Sequence, residues 1–177
     1  MTETASTLGS VRVLELASVL AGPLAGAALA ERGAQVTKVE RPPHGDVTRS
    51  WKTDGESKDT NSSAYYASAN GNKEVVWKDL KSKEGRQWLE EALASHDVVI
   101  ENFKTADLPS FGLQPEALAQ RHPHLVFIQP HDLDSMRCIE RQHPSKDQVE
   151  PCEIPRLCAL DSPIKQCLHV HALTRSA

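Results

Sequence analysis

Two short strand-like runs, VRVLEL (11–16) and QVTKVE (35–40), bracket ASVLAGPLAGAALAERGA (17–34), the most Ala-rich stretch of the chain. Few arrangements satisfy that order. Pro23 suits the first position of a helix and Gly33 suits the residue just past its end, so a helix is expected over 23–32. Strand, loop, helix and strand then form one βαβ unit, whose right-handed crossover makes the two strands parallel. A targeting or membrane role fits poorly. The first ten residues hold Glu3 but no Lys or Arg, and Gly22-Pro23 breaks the run. The run is also shorter than the about 20 apolar residues of a membrane span. The expected compartment is the cytoplasm, with mitochondrion and peroxisome left open.

The pattern continues downstream. Glu74–Trp77 reads as a strand, and Ser82 opens a helix reaching Ala94, with Trp88, Leu89 and Leu93 on one face. DVVIENF (97–103) reads as a strand, Pro115–Arg121 as a short helix and LVFI (125–128) as a last strand. Strands alternating with helices predict an α/β fold: a Rossmann-like, doubly wound and mostly parallel sheet.

Composition changes near residue 129. All nine glycines lie at or before Gly112 and all eight aromatics at or before Phe127, whereas residues 129–177 hold all four cysteines and five of the eleven prolines. A segment without glycine or aromatic residues lacks tight-turn residues and large core fillers. Residues 1–128 therefore read as the folded part, and 129–177 as an unrelated, irregular and partly disordered tail. The spacing of Cys138, Cys152, Cys158 and Cys167 fits no paired Cys-x2-4-Cys zinc pattern, so free thiols and no metal are expected. A net charge of −4 and a pI near 6.1 give no electrostatic basis for binding nucleic acid or an anionic membrane.

In doubly wound sheets, ligands sit at the carboxyl ends of the strands. Three loops meet that description. Ala17–Pro23 leads into a helix N-terminus, where N–H groups favour an anion. Glu40-Arg41 ends the second strand, and an Arg there suits a phosphate. Glu101-Asn102-Phe103 offers an amide and an aromatic face. Each feature also has a plain alternative. Gly22 and Gly26 can serve close packing only, Arg41, Lys78 and Lys81 a solvated face, Asn102 a turn and Phe103 the core. The first loop lacks G-x-G-x-x-G, which weighs against a dinucleotide oxidoreductase. Read from the residues alone, the result is a nucleotide-like site with a phosphate preference.

The pieces VRVLELASVLAGP (11–23), GAQVTKVERPPHGDVTR (33–49), NGNK (70–73), KDLK (78–81), DVVIENF (97–103), FGL (111–113) and HPHLVFI (122–128) come in an order that resembles the class III CoA-transferases. That family includes formyl-CoA, carnitine and succinyl-CoA–glutarate CoA-transferases and α-methylacyl-CoA racemase. The resemblance implies transfer of coenzyme A from an acyl-CoA to a small carboxylic acid, and an interlocked homodimer. It also implies that Ser18, Leu20 and Ala21 line the CoA path, that Arg41 and Lys81 meet its phosphates, and that Asn102 and Phe103 bracket its nucleotide or pantetheine arm.

Three departures stand beside it. Glu74 follows N-x-N-K where the family has a basic residue, and Ser110 stands where formyl-CoA transferase has Arg. Gln129-Pro130-His131 replaces the Gly-rich continuation that leads to the catalytic Asp. That Asp attacks the thioester, splitting one hard acyl transfer into easier steps. Asp132, Asp134, Asp147 and Asp161 do not match it, so no catalytic residue is assigned and the chain alone is expected to be inactive. The alternative is a truncated, non-catalytic protein that binds CoA or pairs with a longer chain.

Overall fold

The computed structural model describes residues 7–130 and the backbone of 136–139. Its strands are β1 (Arg12–Glu15), β2 (Gln35–Glu40), β3 (Glu74–Trp77), β4 (Val98–Ile100), β5 (Val126–Pro130) and β6 (Met136–Ile139). They form one sheet in the order β3-β2-β1-β4-β5-β6. The first five strands are parallel, and β6 runs antiparallel to β5. The tail's other residues, with Cys152, Cys158 and Cys167, lie outside the described residues, and Cys138 is described only as backbone of β6.

Among the described residues five α-helices connect the strands: α1 (Ala21–Glu31), α2 (Ala64–Asn70), α3 (Lys83–Ser95), α4 (Leu108–Phe111) and α5 (Pro115–Arg121). Strands β2 and β3 are added on one side of β1, then the chain crosses back and adds β4 and β5 on the other. The winding therefore reverses between β1 and β4, as in a Rossmann-like sheet.

Alternation along the strands divides the core in two. Val13, Val36, Val98 and Ile100 pack with Leu29 and Ala30 of α1. Leu14, Val99 and Phe127 point the other way, against Leu89 and Leu93 of α3 and Leu118 of α5. Spacings of three and four residues put Leu89, Ala92 and Leu93 on the buried stripe of α3. Its start is fixed by Ser82, whose Oγ accepts the Gly85 N–H at 2.9 Å.

The structure moves some expected boundaries. Helix α1 begins at Ala21, so Pro23 is its third residue rather than its first. The first four helical N–H groups have no intrahelical acceptor, so a proline is equally harmless there. The strand expected over 97–103 narrows to Val98–Ile100, leaving Asn102 and Phe103 in the following loop. The helix α2 has no counterpart in the sequence reading.

Candidate functional site

Parallel strands send their carboxyl ends to one edge, so the loops after β1, β2, β3 and β4 share that rim. Strands β1 and β4 flank the reversal point, and the loops that follow them meet there. There Asn102 joins them. Its Oδ1 accepts the Ser18 N–H at 3.0 Å, and its Nδ2 donates to the Ser18 carbonyl at 2.8 Å. The expected contributions of Ser18 and Asn102 thus meet in one reciprocal amide pair.

The adjoining residues of the first loop are held as firmly. The Ala17 carbonyl accepts a bond from Lys38 Nζ at 2.9 Å. Val19 has a φ of +73°, and its N–H donates to the Asp46 carboxylate at 3.2 and 3.4 Å. A β-branched residue in the left-handed region is a steric outlier, which costs on the order of 1–3 kcal/mol. Leu20 follows as the N-terminal flank of α1, and both it and Ala21 are half-buried. No side chain caps this helix and its first turn holds no acid. The opening N–H groups of Ala21 and Gly22 therefore remain donors without an intrahelical acceptor, at the positive end of the helix. Gly22 is required by the close approach of helix and loop, since a Cβ there would collide with that of Ala17.

Arg41 leaves the end of β2 into solvent, with its Nε 3.6 Å from Asp79 Oδ1. The same carboxylate oxygen accepts the Lys81 N–H at 3.1 Å. Arg41 and Lys81 are thereby grouped around Asp79 at the β2–β3 side of the rim, both exposed. Phe103 takes the plain alternative: it stacks on Phe111 at 4.8 Å between centroids and packs against the core. Ser110, at the position of the missing Arg, donates to the Asp107 carbonyl at 2.7 Å.

Beneath the rim lies a buried charge network. Glu15 and Lys38 are cross-strand neighbours on β1 and β2, 2.9 Å apart. Lys38 Nζ also lies 3.1 Å from Asp46, and Lys73 Nζ lies 2.7 Å from the other Glu15 oxygen. Lys73 donates to the carbonyls of Pro23 and Ala69 and to Asn70 Oδ1, tying α1 to α2. Burial lowers the Lys73 ammonium to about 8, against the opposing pull of Glu15. Glu40 accepts bonds from Arg49 at 2.6 and 2.7 Å, from the Tyr66 hydroxyl at 2.6 Å and from the Asp46 N–H at 2.9 Å. Burial works against the Glu40 and Asp46 carboxylates. The bonds they accept outweigh it and hold both below the usual range.

On the opposite face Glu101 is fully buried at the end of β4, and burial pushes its carboxyl up to about 7. Its Oε2 accepts the Phe103 N–H at 2.7 Å, which shapes the loop carrying Asn102. Glu101 Oε1 and Gln129 Nε2 have no hydrogen-bond partner among the described residues.

Glu101 is named in the third loop without a role of its own, and Glu15, Lys38, Asp46 and Lys73 lie unassigned within the quoted pieces. For Glu15 and Lys38 the available signal is a charge inside a parallel strand, which demands a buried partner. Among the described residues, no group of three His, Cys, Asp or Glu is arranged to hold a metal, and no helix is long and apolar enough to cross a membrane.

Residues 8–147 match the sequence model of CoA-transferase family III. The chain is 44% identical over 126 residues to a succinate–glutarate CoA-transferase of Agrobacterium fabrum, covering 68% of this chain and 31% of that protein. It is 38% identical over 120 residues to the Homo sapiens succinyl-CoA:glutarate CoA-transferase, covering 68% of this chain and 27% of that one. Among solved structures, a CAIB/BAIF family protein from Brucella suis superposes with a TM-score of 0.59 at 40% identity, over 68% of this chain and 32% of its own length. The chain thus spans about a third of the length of these relatives.

Proposed function

The chain belongs to CoA-transferase family III, and from that premise we propose that the rim formed by the loops after β1, β2, β3 and β4 cradles coenzyme A. The observation that carries this reading is the Ser18–Asn102 pair, which fastens two loops together at the reversal point of the sheet. Ser18, Leu20 and Ala21 line the path of the ligand. The free N–H groups at the start of α1 meet an anionic or carbonyl oxygen there. Arg41 supplies a permanent charge for a phosphate of the nucleotide end, and Lys81 adds a second. Asn102 and Phe103 bracket the nucleotide or pantetheine arm.

The substrates in this reading are an acyl-CoA and a small carboxylic acid, exchanged within a homodimer of the family's kind. Transfer requires a carboxylate nucleophile, and none of Asp132, Asp134, Asp147 or Asp161 is given that role. The chain alone is accordingly proposed to bind CoA without turning it over.

Calorimetric titration of the chain with CoA, with NADH as the control, tests the reading. Saturable binding of CoA and none of NADH supports it, and the absence of CoA binding defeats it. A transfer assay with succinyl-CoA and glutarate separates binding from turnover. Sustained product formation would remove the claim of inactivity.

A further inference from the structure

We propose that Asp46 is a positioning residue for the first loop: its carboxylate holds the left-handed turn at Val19 and so sets where the opening N–H groups of α1 lie. The inference deepens the CoA-binding reading and rests on it for the ligand, though not for the turn itself.

The turn is unfavourable by itself, because a valine at φ +73° crowds its own branched side chain against the backbone. Something outside it must hold it. Ala17 and Ser18 are held by Lys38 and Asn102, but the Val19 N–H has the Asp46 carboxylate, 27 residues away, as its acceptor. That carboxylate cannot swing aside. Oδ1 accepts the Thr48 N–H at 3.0 Å and hydroxyl at 2.8 Å, and Oδ2 faces the Lys38 ammonium at 3.1 Å. The backbone of Asp46 is fixed in turn, since its N–H is held by Glu40, which Arg49 and Tyr66 clamp. The side chain is almost wholly buried. A chain of contacts therefore runs from α2 through Glu40 and Asp46 to Val19, one residue short of the flank of α1. Its parts also serve the local turn at 46–50, so a test must separate the loop from general stability.

Hydrogen exchange on the full chain, read segment by segment, makes that separation. In Asp46→Ala, exchange across 17–21 is expected to rise about tenfold or more while α3 keeps its protection. Should Asp46→Ala lose protection everywhere, Asp46→Asn decides, since it keeps the size and one acceptor oxygen. A local rise of about threefold or more at 17–21 then supports the assignment. Unchanged exchange at 17–21 in a folded variant overturns it, whatever happens to ligand binding. Titration of the same proteins with CoA is the second arm, with an expected loss of about tenfold in affinity. If wild type binds no CoA but the local exchange rises, the function reading fails and the positioning role stands. If wild type binds CoA and the folded variant binds it equally, the positioning role fails and the function reading stands.

Discussion

Ser18 and Asn102, 84 residues apart in sequence, exchange two hydrogen bonds at 3.0 and 2.8 Å across the point where the sheet reverses its winding. The pair is polar on both sides and sits at the rim, so its value lies in geometry more than in burial. Asn102→Ala removes both bonds and leaves a backbone donor and acceptor unpaired. Both bonds are exposed and water can replace them in part, so a loss of about 1 kcal/mol is expected in urea denaturation, with weakened CoA binding. Asn102→Asp keeps the acceptor but turns a second carboxylate oxygen toward the Ser18 carbonyl, and is expected to cost at least as much.

Arg41 gives the opposite balance. Its guanidinium is exposed and meets Asp79 only at 3.6 Å, a pairing worth little in water. Arg41→Ala should leave the denaturation midpoint within about 0.5 kcal/mol of wild type. The same change should weaken CoA about tenfold, or roughly 1.4 kcal/mol. Equal affinity would mark Arg41 as an ordinary surface charge.

The network beneath the rim is a stability element. Lys38 is buried between Glu15 and Asp46 and also satisfies the Ala17 carbonyl. Lys38→Met leaves the buried Asp46 without its counter-charge and Glu15 with Lys73 alone. A cost of about 3–5 kcal/mol is expected, as for other broken buried pairs. Chemical denaturation of the two proteins side by side measures it.

Glu101 carries a pH signature of known sign. Its folded value, about 7, lies above that of an unfolded glutamate. Between the two values the folded state holds more protons, so this residue's contribution falls as pH rises through the window and is lowest above 7. Glu101→Gln should therefore gain on wild type in denaturation experiments as pH is raised from 5 to 8. A difference that stays constant with pH would show that the carboxyl titrates normally.

Much of the scaffold could be read from residue patterns. Strand β2, strand β3 and helix α5 fall where the patterns put them, because their apolar spacing and flanking Pro or Gly residues are local signals. Helix α2 carries a local start signal as well, since Ser63 is its N-cap, with its Oγ accepting the Tyr66 N–H at 2.9 Å. The charge network is not local in this way. Glu15 and Lys38 are 23 residues apart, and only the parallel register sets them opposite each other. Asp46 reaches Val19 because the chain after β2 folds back over the rim, and no short motif encodes that return. The loops at the strand ends are legible from local patterns, whereas the side chains that fix their shape depend on tertiary pairing.

Hydrogen exchange with and without saturating CoA decides whether the loops after β1, β2, β3 and β4 act together as one CoA cradle. A shared cradle slows exchange only at residues 17–22, 41–46, 78–81 and 101–104. Slowing confined to other segments, or none at all, would contradict it.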